Sequence, residues 1–313
     1  IPGVIHVVDC GRAKRQVLVD GNSGAVAHRV AWIARANADQ RAGRAGRTGP
    51  GHCHRLYSSA VYAETFEASE KPEILRLPVV DVALRVKALG VRDPSSFPFP
   101  DKPPSSSVVQ ACDALARLGA LANVTPFTKA PLSDLGQALA SLPVGARHAA
   151  TLAYAGRIAK GMPEQKREGF ASLAVACVAA SSEQSPFREG EASEAQRRAF
   201  RHPLGDAHAR LLALGAYAAA SDKNTFCDAH GLDGGALNRM ARLYDSLRRS
   251  CAKTGVFTKV APLEDLAPGS AQTDSKLAKC LTAGGLDRVA RLAEPSQVMA
   301  AARRACAQRG DVW

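Results

Sequence analysis

The spacing of apolar and polar positions changes near residue 70. Upstream, apolar residues come in short runs or alternate with a period of two. Val4-Ile5-His6-Val7-Val8-Asp9 predicts a buried strand. Residues 15–19 and 27–32 predict two further strands. The stretch Asp20-Gly21-Asn22-Ser23-Gly24 between them is hairpin-turn chemistry, because Asn and Gly accept positive φ. Residues 51–57 alternate as a fourth strand, and a short helix is expected before them.

Downstream of Pro72 the period becomes helical. Val79, Val82, Val86 and Leu89 share one face. Val108, Cys112, Leu115 and Leu118 share a second, and Leu132, Leu135, Leu139 and Leu142 a third. Phe97-Pro98-Phe99-Pro100 and Pro103-Pro104 form a stiff connector between the first two. Three short helices with an intervening turn suggest a winged-helix unit over 70–142. Residues 147–158, 170–180, 206–220, 237–250 and 272–304 read as helices of a bundle. A charged loop near 185–201 interrupts them. The expected class is therefore α/β followed by mostly α. Its units are 1–69, 70–142 and 143–313, and no repeat of 20–50 residues is visible.

Composition supports this picture. Of the 313 residues, 46% are apolar but only 5% aromatic, so an alanine- and leucine-packed helical core is expected rather than a β-sandwich. The longest apolar runs are about half the ~20 residues of a membrane span, so no membrane partner is expected. Ile1-Pro2-Gly3-Val4 carries neither an initiator Met nor a signal-peptide pattern, so we expect a piece of a longer protein. There are 41 Lys and Arg against 29 Asp and Glu, and the net charge of +12 favours a polyanionic partner. The eight cysteines include no C-x-x-C pair, which points to reduced thiols rather than a disulfide framework. His52-Cys53-His54 cannot easily converge on one ion, and no metal site is expected.

The stretch with chemistry runs from Asn37 to Gly51. Asn37 is placed to cap a helix, with Gln40 at its third position. On a helical wheel Gln40, Arg44 and Arg47 then share one face, with Gly43 beside it. Ala42, Ala45 and Gly46 keep the other sides small for close packing. Two guanidiniums and an amide projecting together suit the charge that develops on a transferring phosphoryl group. The plainer reading is an Arg-rich surface helix. Such a helix has no reason to carry two glycines, each costing about 1 kcal/mol relative to Ala.

Gln40–Arg47 reads QRAGRAGR and resembles motif VI of the DEAH-box RNA helicases. Ile1-Pro2-Gly3 with Val7-Val8-Asp9 resembles the end of motif V. Residues 15–32 resemble the β-hairpin between these motifs in the second RecA-like domain. Pro72-Glu73-Ile74, Lys87-Ala88-Leu89-Gly90 and Leu118-Gly119-Ala120-Leu121 resemble the family's winged helix. His202-Pro203-Leu204-Gly205-Asp206 resembles its ratchet helix. The likeness covers most of 1–250. Within the family, residues 51–62 and 97–100 are most similar to the nucleolar helicase of the small-subunit processome, which acts on U3 snoRNA paired with pre-rRNA.

The resemblance implies an ATP-dependent RNA helicase with ATP and Mg²⁺ as cofactors, RNA and an activating protein as partners, and a nucleolar location. It places Gln40, Gly43, Arg44 and Arg47 at the nucleotide, with Arg44 or Arg47 as arginine finger. Arg41 falls off that face and is expected to make a structural or interdomain contact rather than touch phosphate. Lys14, Arg15 and Arg29 of the hairpin are candidates for the RNA path, weighed evenly against a charged, solvated edge. Asp206 is expected to cap its helix, and His202 to pack at a domain seam. No G-x-x-x-x-G-K-[ST] loop or Asp-Glu-Ala-His box occurs in the 313 residues, so the chain alone is expected to be inactive. The alternative is a non-catalytic RNA-binding or assembly module.

Overall fold

The computed structural model of the chain describes residues 3–20, 25–190 and 196–285. The alternation in the first segment forms an antiparallel hairpin of β2 (Arg12–Asp20) and β3 (Ala25–Trp32). Its expected turn at 21–24 lies outside the described residues. Arg15 stands opposite Arg29, and Lys14 opposite Val30. Successive residues point to opposite faces, so Arg15 and Arg29 leave one face and Lys14 the other.

The preceding strand, β1 (His6–Asp9), does not join the hairpin. It runs parallel to β4 (His52–Arg55), with His6 opposite His52 and Asp9 opposite Arg55. A parallel pair requires a crossover, and here the hairpin and α1 (Arg35–Ala42) provide it. Gly51 is obligatory where β4 begins, since a Cβ would run into the Ala45 and Ile5 carbonyl oxygens. The expectation of a buried strand at 4–8 is corrected. Val8 is 67% exposed, because β1 has only β4 as a strand neighbour among the described residues. On its open face His6 stacks on His52 and His54 at 5.6 and 5.7 Å between ring centroids.

Helical periodicity then takes over in α2 (Val80–Ala88), α3 (Ser105–Arg117) and α4 (Asp134–Ala140). Val79 and Val86 are buried as their spacing predicts. Leu89 of the same set is 74% exposed, because the helix has ended before it. An isolated antiparallel bridge joins Leu121 to Leu132. Lys87 is buried within this apolar group. Its Nζ donates to three backbone carbonyls, those of Arg92 (2.6 Å), Thr128 (2.9 Å) and Ala130 (2.7 Å). A buried ammonium must be satisfied in this way.

The remaining helices are α5 (Ala146–Lys160), α6 (Glu164–Ser182), α7 (Asp206–Ala219), α8 (Lys223–Ala229), α9 (Gly234–Thr254) and α10 (Ala271–Gly284). Every residue of α6 from Phe170 to Ala180 is buried, as expected of a helix apolar all round. It packs against α5, α7 and α9. Small residues permit close approach, and a Cβ on Gly284 would meet Thr151 and the Arg147 carbonyl of α5. Asp81 of α2 accepts the Ala146 N–H at 2.7 Å, so the first helical group caps α5 from outside. Of the helix expected over 272–304, only the portion up to residue 285 lies within the described residues.

Two expectations are corrected here. Gly205, at φ +93°, is the N-cap of α7, and Asp206 is its first helical residue with no capping bond. A residue at that first position benefits from the helix dipole instead. His202 packs at a seam, but one inside the bundle, between α7 and α10. Its ring stacks on His208 at 4.7 Å, and its Nε2 lies 3.7 Å from Asp274 Oδ2. The charged loop near 185–201 is partly structured, with Phe187 bridging to Leu232 and Phe200 buried.

Candidate functional site

Helix α1 is set by burial rather than by a polar cap. Ile33, Ala34 and Ala38 are almost fully buried, and Ala34 is the N-cap. Asn37 therefore sits at the third helical position, where its Oδ1 accepts the Ala34 N–H at 3.3 Å. This replaces the expected Asn37 cap. The helix also ends sooner than motif spacing alone suggests. Gly43 N–H still donates to Asp39, but Arg44 and Ala45 donate three residues back, to Arg41 (3.0 Å) and Ala42 (3.1 Å). The chain tightens into turns that no longer follow 100° per residue. Gln40 is on the helix, whereas Arg44 and Arg47 lie in the turns beyond it.

What holds this segment is an ion-pair pattern that spacing could not reveal. Asp9 is buried at the end of β1. It accepts from Arg41 (2.7 Å), the Gly11 N–H (2.9 Å) and the Tyr57 hydroxyl (3.0 Å). Burial by itself would raise the Asp9 carboxyl. The Gly11, Arg41 and Tyr57 bonds outweigh it and leave the pKa lowered. The same environment pushes the Tyr57 hydroxyl up to about 12, through burial and then the Asp9 bond. Arg41 also donates to the Arg12 carbonyl at 3.2 Å, and so makes the structural contact expected of it. On the far side of α1, Asp39 accepts from Arg55 (2.8 Å) and Tyr62 (3.0 Å), and the Arg55 guanidinium lies 4.6 Å over the Tyr62 ring.

Arg44 and Arg47 are left out of all this. Both are exposed, and among the described residues neither side chain has a hydrogen bond or ion pair. The neighbouring glycines have no internal reason to be glycine. Gly43 has φ −62°, and a Cβ there would make only ordinary contacts. Gly46 is not at positive φ, and a Cβ there would meet nothing within 4 Å. The expectation that Gly46 serves close packing is thus corrected, whereas Ala45 is buried.

Gln40 lines a cleft of about 460 Å³ together with Lys14, Arg15, Arg41 and Arg76. Arg44 and Arg47 are not on its walls, so the structure does not gather the trio into one cavity. Among the hairpin cations, Lys14 and Arg29 are exposed. Arg15 pairs with Glu70 at 3.5 Å. Arg76 also reaches Glu70 (3.0 Å) and donates to the Gln16 carbonyl (2.9 Å), so it clasps the hairpin to the segment leading into α2.

No family model matches the chain. Known proteins do. It is 32% identical over 352 residues to the ATP-dependent RNA helicase DEAH13 of Arabidopsis thaliana, covering 96% of this chain and 28% of the relative. It is 36% identical over 331 residues to the probable ATP-dependent RNA helicase DHX37 of Homo sapiens, with the same coverages. The chain belongs to the DEAH-box RNA helicases. Over a shorter stretch of 129 residues, 41% of this chain, it is 47% identical to the probable ATP-dependent RNA helicase DHR1 of Saccharomyces cerevisiae. The chain spans just over a quarter of the length of the first two relatives. Its mostly helical fold with a small parallel sheet fits the C-terminal region of such a helicase. Among the described residues no helix is long and apolar enough to cross a membrane.

Proposed function

We propose that this chain supplies the γ-phosphate-sensing half of an ATP-dependent RNA helicase, acting in small-subunit ribosome biogenesis. The observation that carries the reading is the state of Arg44 and Arg47, two exposed arginines whose side chains have no protein partner among the described residues, beside two glycines that neither packing nor backbone requires. An open approach flanked by two forked cations fits a polyphosphate. ATP supplies the phosphoryl group that is transferred to water.

Arg44 and Arg47 would neutralise charge developing on the phosphoryl oxygens, and Gly43 would let the phosphate approach the backbone. Arg41 would hold their turns in place through Asp9. Magnesium finds no ligand in this stretch. Asp39, its nearest carboxylate in sequence, is committed to Arg55 and Tyr62. Residues 70–142 are read as a winged helix and the bundle after 143 as a ratchet, which with Lys14, Arg15 and Arg29 would flank RNA. The names of the relatives support RNA as partner. The finer proposal of a U3 snoRNA–pre-rRNA duplex as substrate, a nucleolar site of action and an activating protein rests on the resemblance of residues 51–62 and 97–100 to the nucleolar helicase of the small-subunit processome.

The test is Arg47→Ala in a protein that joins this chain to the phosphate-loop domain its own sequence lacks. ATP turnover should fall by about 10³-fold or more, the scale of an arginine finger, while RNA affinity is retained. Unchanged turnover would refute the assignment. RNA binding without any ATP turnover in the unmutated protein would favour a non-catalytic assembly module.

A further inference from the structure

The last turn of α1 is held from two sides. On one side Arg41 reaches the buried Asp9 at 2.7 Å. On the other, Asp39 reaches β4 and the π-helical turn Val61–Thr65. Its Oδ1 accepts from the Arg55 guanidinium at 2.8 Å and from the Tyr62 hydroxyl at 3.0 Å. Residues two apart on a helix point to opposite faces, so these are anchors on opposite sides. The Gln40 side chain between them has no hydrogen bond among the described residues.

The anchored residues are also the ones from which the following turns hang. The Gly43 N–H donates to the Asp39 carbonyl at 2.9 Å, and the Arg44 N–H donates to the Arg41 carbonyl at 3.0 Å. The path of the chain into Arg44 and Arg47 is therefore set where the side chains of Asp39 and Arg41 fix the backbone. With one anchor the helix end could still pivot about it. Two anchors on opposite faces remove that freedom.

The anchors are tied to each other as well. Tyr57, which donates to Asp9 at 3.0 Å, stacks on Tyr62 with ring centroids 6.5 Å apart and planes 8° from parallel. The buried Phe66 lies against both rings, at 4.9 and 5.9 Å. Arg41, Asp9, Tyr57, Tyr62 and Asp39 thus form one series of contacts around the end of the helix. Stability does not account for the outer part of it. The Asp39 side chain is 57% exposed and that of Arg55 35%. An ion pair so open to water contributes little to folding, because solvent and salt screen it. Two donors converging on one oxygen fix a direction instead.

We propose that Asp39 is a positioning residue for phosphoryl transfer, which through Arg55 and Tyr62 sets the turns that present Arg44 and Arg47. The proposal rests on the reading of those two arginines above, and adds a residue that itself touches no nucleotide.

The test uses the protein that joins this chain to the phosphate-loop domain its own sequence lacks. Asp39→Ala removes both side-chain bonds. Its kcat for ATP hydrolysis should fall about ten- to a hundredfold, the scale of a misplacement of about 1 Å. The KM for ATP should stay within about twofold, since groups that act on the transition state change turnover more than ground-state binding. The melting temperature should not change, as the pair is exposed. Asp39→Asn keeps an oxygen that can accept from both Arg55 and Tyr62, and should restore most of the lost turnover. In an Arg47→Ala background Asp39→Ala should cost much less than it does alone, because residues acting as a unit are not additive.

Unchanged turnover in Asp39→Ala, an Asp39→Asn variant as impaired as the alanine one, or a full further loss in the Arg47→Ala background would each overturn the positioning role. A loss of turnover matched by a fall in melting temperature would overturn it too, by showing that Asp39 serves folding. If Arg47→Ala itself leaves turnover unchanged, the reading of the arginines falls and this role with it. If Arg47→Ala abolishes turnover and Asp39→Ala does not lower it, the positioning role alone falls.

Discussion

Arg41 and Asp9 lie 32 positions apart and meet at 2.7 Å, joining the last residue of a strand to the last turn of the helix that leads into Arg44 and Arg47. The Asp9 side chain is fully buried, while that of Arg41 is 36% exposed. Arg41→Ala therefore leaves a carboxylate buried with only Gly11 and Tyr57 to satisfy it. The expected loss is about 2 kcal/mol, the scale of an unsatisfied charged hydrogen-bond partner. The Asp9 pKa is depressed in the fold, so its contribution is complete above the unfolded carboxylate value of 3.8 and fades as pH falls through the folded value. Chemical denaturation at pH 7 and at pH 3 checks this. The difference between the variant and the unmutated chain should be full at pH 7 and smaller at pH 3, below the unfolded carboxylate value of 3.8.

The glycines of the motif should separate by role. Gly51→Ala forces a Cβ into two backbone oxygens and should destabilise by about 1–3 kcal/mol. Gly46→Ala meets open space and should leave the melting temperature unchanged. If Gly46 is kept small for a ligand, its alanine variant should still weaken nucleotide binding in the protein that carries the complete ATP site. Thermal melting paired with nucleotide titration separates the two effects.

Lys87→Met replaces an ammonium that binds three carbonyls with a side chain that binds none. Burial pulls the Lys87 pKa down, so the site already bears a desolvation cost that these carbonyls offset. A loss of about 2–4 kcal/mol is expected, on the scale of buried polar groups left without partners. Urea denaturation measures it. A Lys87→Met chain as stable as the original would show that the carbonyls find other donors.

His208 gives the bundle a pH dependence. Burial, and then the neighbouring His202, lower its pKa against the opposing pull of Asp274. Between the depressed folded value and the ordinary histidine value of 6.5 the unfolded chain binds the extra proton, so stability rises with pH across that window. The chain should melt at a lower temperature at pH 5 than at pH 7.5. His208→Asn should reduce that difference, although it costs stability at both pH values.

The hairpin and the succession of helices are legible in the sequence, because each follows from local periodicity or turn chemistry. Arg44 and Arg47 are legible as residues but not in their geometry. Wheel arithmetic assumes that α1 continues, and the three-residue-back bonds donated by Arg44 and Ala45 end it. The strand β1 reads as buried because apolar content signals a core but not which neighbours cover it. Asp206 reads as a cap because acidic residues favour helix starts, yet Gly205 at positive φ takes that position. The contacts of Asp9, Lys87 and Arg76 leave no signal, since each joins residues distant along the chain by a single polar side chain.

The clasp at Arg76 has a mechanical consequence. One guanidinium holds the Gln16 carbonyl on the hairpin and the Glu70 carboxylate on the segment before α2, while Glu70 also holds Arg15. A displacement of the hairpin is therefore a displacement of the chain leading into the helical units. Load applied at one end is carried to the other through a short, stiff linkage rather than dissipated in a slack tether.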